Sequence, residues 1–478
     1  MADVYPELHL LIAGAPLGGD GRTQEDVLNP ATEEVLGRLP HATTQDIDDA
    51  LAAAERGFAQ WRAVPPQERG RIIKRAADLL RERADAIAHT ATREYGKPLT
   101  ETRIETAMSA DILEWYAEEG RRAYGRVLMT RVPGTRMTVR KEPVGPVAAF
   151  APWNFPLGNP ARKLGAALAA GCSCILKPAE ETPASGLAVA QALLDAGLPK
   201  DALSVVFGVP DAISRHLLGS PIIRKLSFTG SVAVGKHLMK LAADGMKRTT
   251  MELGGHAPVL VFGDVDVEKV LNESAAAKFR NAGQVCVSPT RFYVHESIHE
   301  RFAQGFAERA RAWKVGDGLA DGTQMGPLIH ARRREAIGAF VRDAEAQGSR
   351  VLAGGRPLNQ RGYFFQPTVL ADVPDKARIM SEEPFGPVAI VNSFSETDAV
   401  IREANKFPFG LAAFAFTQNL AIANRLGDAL EAGMVGVNTF RISVPDSPFG
   451  GIKESGHGSE EGIEGLEACL VTKFVSEA

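Results

Sequence analysis

The sequence predicts an α/β fold of two parallel-sheet lobes with a β-hairpin excursion. Short apolar runs alternate with helical patterns from Val144 to Val261, and again from 266 to about 438. Between 127 and 142, β-formers alternate with charges around Pro133-Gly134. Strand and helix patterns in alternation mark βαβ units, whose strands lie parallel in one sheet, whereas a polar alternating run with a central Pro-Gly reads as a hairpin.

In chain order, residues 67–95 and 101–122 read as amphipathic helices separated at Pro98, the second with Ile104, Met108, Ile112 and Trp115 at helical spacing. The run VLMTRVPGTRMTVRKE is too poor in apolar residues to build a core and is expected as a long hairpin. First-lobe strands are expected at VGPVAAF, CSCILK, LSVVFG, IRKLSF, TTMEL and PVLVF, with helices at 159–170, 183–196, 211–219 and 232–243. The second lobe offers RFYVH, helices at 296–312 and 331–347, then PTVL, VAIV and AAFAF.

A chain of 478 residues is long enough for roughly three domains of about 150 residues. Its net charge is 54 − 58 = −4 with the charges interspersed, so no basic block is available to track a nucleic acid. Four cysteines do not make a disulfide framework and point to a reducing compartment. Cys172 and Cys174 alternate in an apolar run with no second Cys/His pair near them, and the histidines show no ligand spacing, so no metal is expected. The apolar run Leu8 to Ala13 is too short for a signal peptide or a membrane span. The expected setting is cytoplasmic, without membrane or nucleic-acid partners.

Cys286 lies in KFRNAGQVCVSPTRF, after a turn-like Asn281-Ala282-Gly283 and before a β-prone run, so it sits on a loop entering a strand. A lone cysteine is more often a small buried hydrophobe than a nucleophile. Three other runs change that weighting: MELGGHAP at 251–258, PWNFP at 152–156 and LSFTGSVAVG at 226–235. Together these motifs resemble the aldehyde dehydrogenase superfamily, and the likeness extends from Asn29-Pro30-Ala31-Thr32 to Pro448-Phe449-Gly450-Gly451. The resemblance implies a dinucleotide-binding domain (1–123 and 145–253), a catalytic domain (254–463) and an oligomerisation domain (124–144 and 464–478), assembled as a homodimer or homotetramer. Within the last, LVTKFV reads as a strand available to complete a neighbour's sheet.

The usual G-x-G-x-x-G fingerprint is absent; Gly316-Asp317-Gly318 and Gly456-His457-Gly458 lack the strand-turn-helix setting it needs. Phe228 to Gly235 has that setting, and Gly230 and Ser231 at a helix N-terminus can aim donors at a pyrophosphate. Lys177 and Glu180 follow a strand end, where ligands of open α/β sheets gather. By resemblance they hold the adenosine ribose, Trp153 joins the cofactor site, Glu383 holds the nicotinamide ribose and Phe385 supports the nicotinamide end. A carboxylate at Glu180 repels a 2′-phosphate by about 4 kcal/mol at close range, so NAD is expected over NADP.

The resemblance assigns Cys286 as nucleophile, the Asn154 amide with the Cys286 backbone N–H as oxyanion donors, and Glu252 as the base that activates water. Read alone, Asn154 is a turn residue in a Pro-rich segment and Glu252 an ordinary strand-terminal carboxylate. Within the superfamily the chain is most similar to succinate-semialdehyde and 2-oxoglutarate-semialdehyde dehydrogenases, through KFRNAGQ, PARKLGAALAAGC and GSEEGIEGLEACLVTK. That likeness assigns Arg162, Arg280 and Ser443 to the substrate's distal carboxylate, with succinate semialdehyde as the first expectation and 2-oxoglutarate semialdehyde or another aldehyde as the alternative. Phe440 and Arg441 depart from both groups; Arg441 either reads a second polar group or points to solvent. Glu252 argues against an acylating, CoA-dependent relative, which needs no water-activating base. The presence of Cys286, Glu252 and Asn154 together argues against a non-catalytic one, and the Gly-Ser turn with Glu383 argues against a cysteine hydrolase.

Overall fold

Strands that show no polar face to water pack with helices on both sides, and the two blocks of continuous apolar runs build two such sheets. The computed structural model describes residues 4–478. Its first sheet runs in the order Ala15–Leu17, Leu10–Ile12, Leu203–Val205, Cys174–Lys177, Val147–Phe150, Lys225–Thr229, Arg248–Glu252, Gly456–His457. The five strands from Leu203–Val205 to Arg248–Glu252 are parallel. Chain order leaves Val147–Phe150 in both directions, so the topological switch lies between that strand and Lys225–Thr229. Register aligns the strand ends: Phe150 lies opposite Lys177 and Phe228, and Thr229 opposite Glu252.

The second sheet orders Arg350–Ala353, Thr368–Ala371, Val388–Phe394, Pro289–His295, Ala257–Val261, Ala412–Phe416 and Met434–Val437, parallel except at the first pair. The predicted α/β class with two Rossmann-like lobes is the observed one. Helices Gly158–Ala170, Pro183–Asp195, Pro210–Gly219 and Val232–Asp244 stand within a residue of their expected bounds.

Two local expectations need correction. The segment 67–95 is two helices, Pro66–Glu82 and Ala84–Tyr95, because Arg83 takes φ −101° and ψ 8° without any Pro or Gly to announce the break. In helix Leu99–Glu119 one member of the expected stripe turns outward: Ile112 is fully buried and Met108 and Trp115 pack on the core, but Ile104 is 69% exposed while Glu105 is buried. Glu105 turns inward because its carboxylate pairs with buried Lys97 and accepts the backbone N–H groups of Leu157 and Gly158 at the start of the next helix. The C-terminal strand Leu470–Glu477 pairs along its length with Arg136–Pro143 of its own chain, making a three-stranded arm with Arg126–Leu128. Before reaching that arm the chain returns to the first sheet, where Gly456–His457 pairs with Met251 and Glu252, and this return carries Glu460 and Glu461 between the lobes.

Candidate active site

Strand ends and loops from both lobes meet around a cavity of about 300 Å³ lined by Trp153, Asn154, Gly230, Ser231, Glu252, Cys286, Glu383 and Phe385, together with Thr229 and Arg333. These residues come from the carboxyl ends of adjacent first-sheet strands, from loops that precede strands Pro289–His295 and Val388–Phe394 of the second and, for Arg333, from the start of helix Ala331–Ala346. The sequence-predicted catalytic residues and much of the predicted cofactor set are therefore one cluster.

Cys286 occupies a turn three residues before Pro289–His295. The loop leading to it holds Asn281 and Ala282 at φ 54° and 50°, a left-handed conformation costly for residues with a Cβ. It is kept by bonds: the Asn281 N–H donates to Glu101, and its Nδ2 donates to the carbonyls of Asn154 and Gln284 at 3.1 and 3.0 Å. Burial pushes the Cys286 thiol up to about 12, with the carboxylates of Glu383 and Glu252 adding to the rise and Arg162 opposing it. Asn154 is buried and its Nδ2 donates to the Gln284 carbonyl at 3.3 Å, a long bond on the nucleophile's own loop. The Asn154 carbonyl also accepts from Lys97 Nζ at 3.1 Å.

Glu252 ends its strand at 2% exposure, and neither of its carboxylate oxygens has a hydrogen-bond partner. Burial first, then the nearby Glu460 carboxylate, push it well above the usual carboxylate range, against the pull of Lys163 and Arg162. A buried carboxyl with both oxygens free is fit to exchange protons with a thiol or a water. Behind it lies a layer of charge that sequence reading missed. Lys163 pairs with Glu460 and donates to Thr229 Oγ1 at 2.7 Å, while Arg162 Nε donates to Glu461 Oε1 at 2.8 Å. The available signal was two adjacent cations in PARK and two adjacent anions in SEEG.

On the cofactor side the predicted residues differ in availability. Ser231 is the N-cap of Val232–Asp244, its hydroxyl accepting from Val234 N–H at 3.4 Å. The Gly230 N–H is already given to the Glu252 carbonyl at 3.0 Å, so that amide is not the free donor expected from the sequence. Lys177 Nζ and Glu180 are bonded to each other, at 2.6 and 2.8 Å, and Glu180 also accepts from Gly208 N–H at 3.1 Å. Glu383 is pushed up to about 7 by burial, against its bond from Gly255 N–H and the charges of Arg333 and Lys278. A Cβ at Gly254 would collide with Glu383 Oε2, so a larger residue there would displace that carboxylate. Trp153 and Phe385 meet edge to face at 5.6 Å, with Phe385 at φ 46°. Arg333, also missed, donates to the Pro384 carbonyl at 2.7 Å and leaves its Nε without a partner. This aromatic wall, a half-buried carboxylate and a capped helix start at a topological switch fit a dinucleotide.

The aldehyde dehydrogenase family model matches residues 18–475. The chain belongs to this family. It is 49% identical over 466 residues to 4-(hydroxymethyl)benzenesulfonate dehydrogenase of Comamonas testosteroni, covering 98% of this chain and 97% of that one. It is 42% identical over 465 residues to the NADP-named succinate-semialdehyde dehydrogenase of Escherichia coli, covering 97% and 96%. The crystal structure of betaine aldehyde dehydrogenase from Staphylococcus aureus in complex with NAD+ superposes with a TM-score of 0.96 at 32% identity, covering 98% and 95%. Among the described residues no helix is long and apolar enough to cross a membrane.

The three residues predicted for the substrate's far end have different settings. Arg162 is buried, lies over the Phe449 ring at 4.3 Å, and is already engaged by Glu461 and, through Nη2, by Ser443 Oγ at 3.0 Å. Arg280 is exposed and lies 5.8 Å from the Phe155 ring centroid. It lines a second cavity, about 550 Å³, with Arg441, Phe440 and the two valines that flank Cys286. Phe440 packs on Phe414 and Phe416, each at 4.9 Å, which fixes the loop that presents Arg441.

Proposed function

We propose that the protein oxidises an aldehyde bearing an anionic group at its far end to the corresponding acid, with NAD as the oxidant. The observation that carries this reading is the convergence of Cys286, Asn154 and Glu252 on one cavity with Glu383 and Phe385. The Cys286 thiol loses its proton to solvent, and the sulfur adds to the aldehyde carbon. The carbonyl oxygen becomes an oxyanion, held by the Asn154 amide and the Cys286 N–H. A nicotinamide dinucleotide, when bound, supplies the acceptor for the hydride that leaves that carbon. Trp153, Glu383 and Phe385 orient it, and Ser231 caps the helix start beneath it. The thioester left on Cys286 is cleaved by water that gives its proton to Glu252; the C–S bond breaks, the acid departs and the thiol is restored. Each oxyanion donor is worth about 3 to 4 kcal/mol in the transition state.

The choice of an acid-terminated substrate rests on Arg280 and Arg441, two exposed cations on one cavity that holds a single carboxylate, Glu273, in its lining. Succinate semialdehyde is the short member of this class, and an aryl aldehyde with an acid opposite the carbonyl is a long one. NADH formation should therefore be faster with the preferred acid-terminated aldehyde than with a neutral one of equal length. A charge-assisted contact is worth about 1.5 to 3 kcal/mol, so Arg280→Ala should lower kcat/KM for the preferred acid-terminated aldehyde by about 10- to 150-fold. Parallel loss for the neutral aldehyde would remove the anchor from this reading.

NAD preference follows from the Glu180 carboxylate, held in place by Lys177 and Gly208. Glu180→Ser should narrow the ratio of NAD to NADP efficiencies by about tenfold or more, since one repulsive charge is removed. A wild-type enzyme equally efficient with both cofactors would overturn that role. The three-stranded arm, with Val127, Met129 and Phe474 exposed, supports assembly as a homodimer or homotetramer through this face.

A further inference from the structure

We propose that Glu461 is a specificity-determining residue: its carboxylate occupies Arg162 in place of a substrate acid, and so turns the site away from short acid-terminated aldehydes toward longer ones. This rests on the acid-terminated reading above and sharpens it. Glu461 is 1% exposed and its Oε1 accepts from Arg162 Nε at 2.8 Å. Its other oxygen has no partner.

The backbone shows that this contact is held against a local preference. Glu461 has φ 57° and ψ 179°, a region that residues other than glycine almost never adopt. The conformation is fixed from both sides. The Glu461 N–H donates to the buried Tyr116 hydroxyl at 2.8 Å, and its carbonyl accepts from Gly465 N–H at 2.9 Å as helix Gly462–Glu467 begins. The structure thus keeps a charged side chain where glycine would fit without strain, and directs that side chain to Arg162.

Charge balance gives the consequence. Arg162 and Lys163 face Glu461 and Glu460, so the buried layer behind Glu252 is already neutral. A substrate carboxylate placed on Arg162 would add an uncompensated negative charge beside three carboxyl groups, which burial penalises heavily. The substrate's acid is therefore turned outward, to Arg280 and Arg441 on the exposed cavity. An aromatic spacer carries the acid further from the reacting carbon than the short chain of succinate semialdehyde does.

The test compares wild type, Glu461→Gln and Glu461→Gly on succinate semialdehyde, 4-carboxybenzaldehyde, butanal and benzaldehyde. Wild type should favour 4-carboxybenzaldehyde over benzaldehyde while showing little preference for succinate semialdehyde over butanal. Freeing Arg162 should raise the succinate semialdehyde to butanal ratio of kcat/KM by about tenfold or more, chiefly through KM, because a charge-assisted bond is gained. The 4-carboxybenzaldehyde to benzaldehyde ratio should stay within about twofold, as its acid meets other residues. Ratios that do not move in either variant, with both folded by thermal melt, overturn the proposal and leave the acid-terminated reading intact. If wild type prefers neither acid-terminated aldehyde, that broader reading fails instead. Should both variants fail to fold, product inhibition of wild type decides: terephthalate should inhibit more strongly than succinate, and equal inhibition overturns the proposal.

Discussion

Cys286→Ala should lose turnover by about 10⁴-fold or more, as expected when the group that forms the covalent intermediate is removed. The loss should be confined to chemistry. Cys286 borders the cavity, but the carboxylate, aromatic wall and capped helix start suited to a dinucleotide are made by other residues. Cofactor affinity, read by quenching of tryptophan fluorescence near Trp153, should therefore change by no more than about twofold. The half-buried thiol adds a second readout. Because burial lifts its pKa to about 12, alkylation of the resting enzyme should keep accelerating with pH beyond the value of about 8.5 at which a free cysteine reaches half ionisation. A plateau near that value would show that the thiol is not held in the low-dielectric setting described. Residual steady NADH formation by Cys286→Ala would place the chemistry elsewhere.

Glu252→Gln should retain a burst of NADH close to one per active site and then stall, with steady turnover down by about 10² to 10⁴-fold, the range for loss of a positioned general base. Amide and carboxyl groups have similar size, so the cavity should persist. In wild type the raised carboxyl is protonated and idle at low pH, and becomes a base as pH rises through its elevated value. Thioester hydrolysis should thus climb with pH above the ordinary carboxylate range, and this limb should flatten in the variant. Disappearance of the burst itself would mean that Glu252 is also required to take the Cys286 proton.

The parts legible in the sequence are those set by short-range pattern. Runs such as VAAF and CILK are apolar throughout because their strands are covered on both faces, and that property survives without knowing what covers them. The motifs around Cys286, Glu252, Asn154 and Glu383 were legible as a resemblance, and the fold brings those residues to one cavity. What stayed hidden depends on partners distant in the chain. Arg162 and Glu461 are 299 positions apart, so no spacing rule could pair them or reveal that the arginine is already occupied. Ile104 misled for the same reason: the rest of its stripe meets the core, but at its own turn the inward place is taken by Glu105, bonded to Lys97 and a neighbouring helix start. The strained conformations of Asn281, Phe385 and Glu461 have no local signature, since each is imposed by surrounding contacts.

The arm has a consequence for engineering. Glu460 and Glu461 are followed by helix Gly462–Glu467 and at once by the arm strand Leu470–Glu477. The arm thus anchors the peptide that delivers both carboxylates to Arg162 and Lys163 behind Glu252. Changes that unpair Leu470–Glu477 from Arg136–Pro143 should therefore be felt in substrate choice and in the setting of Glu252, although they touch neither.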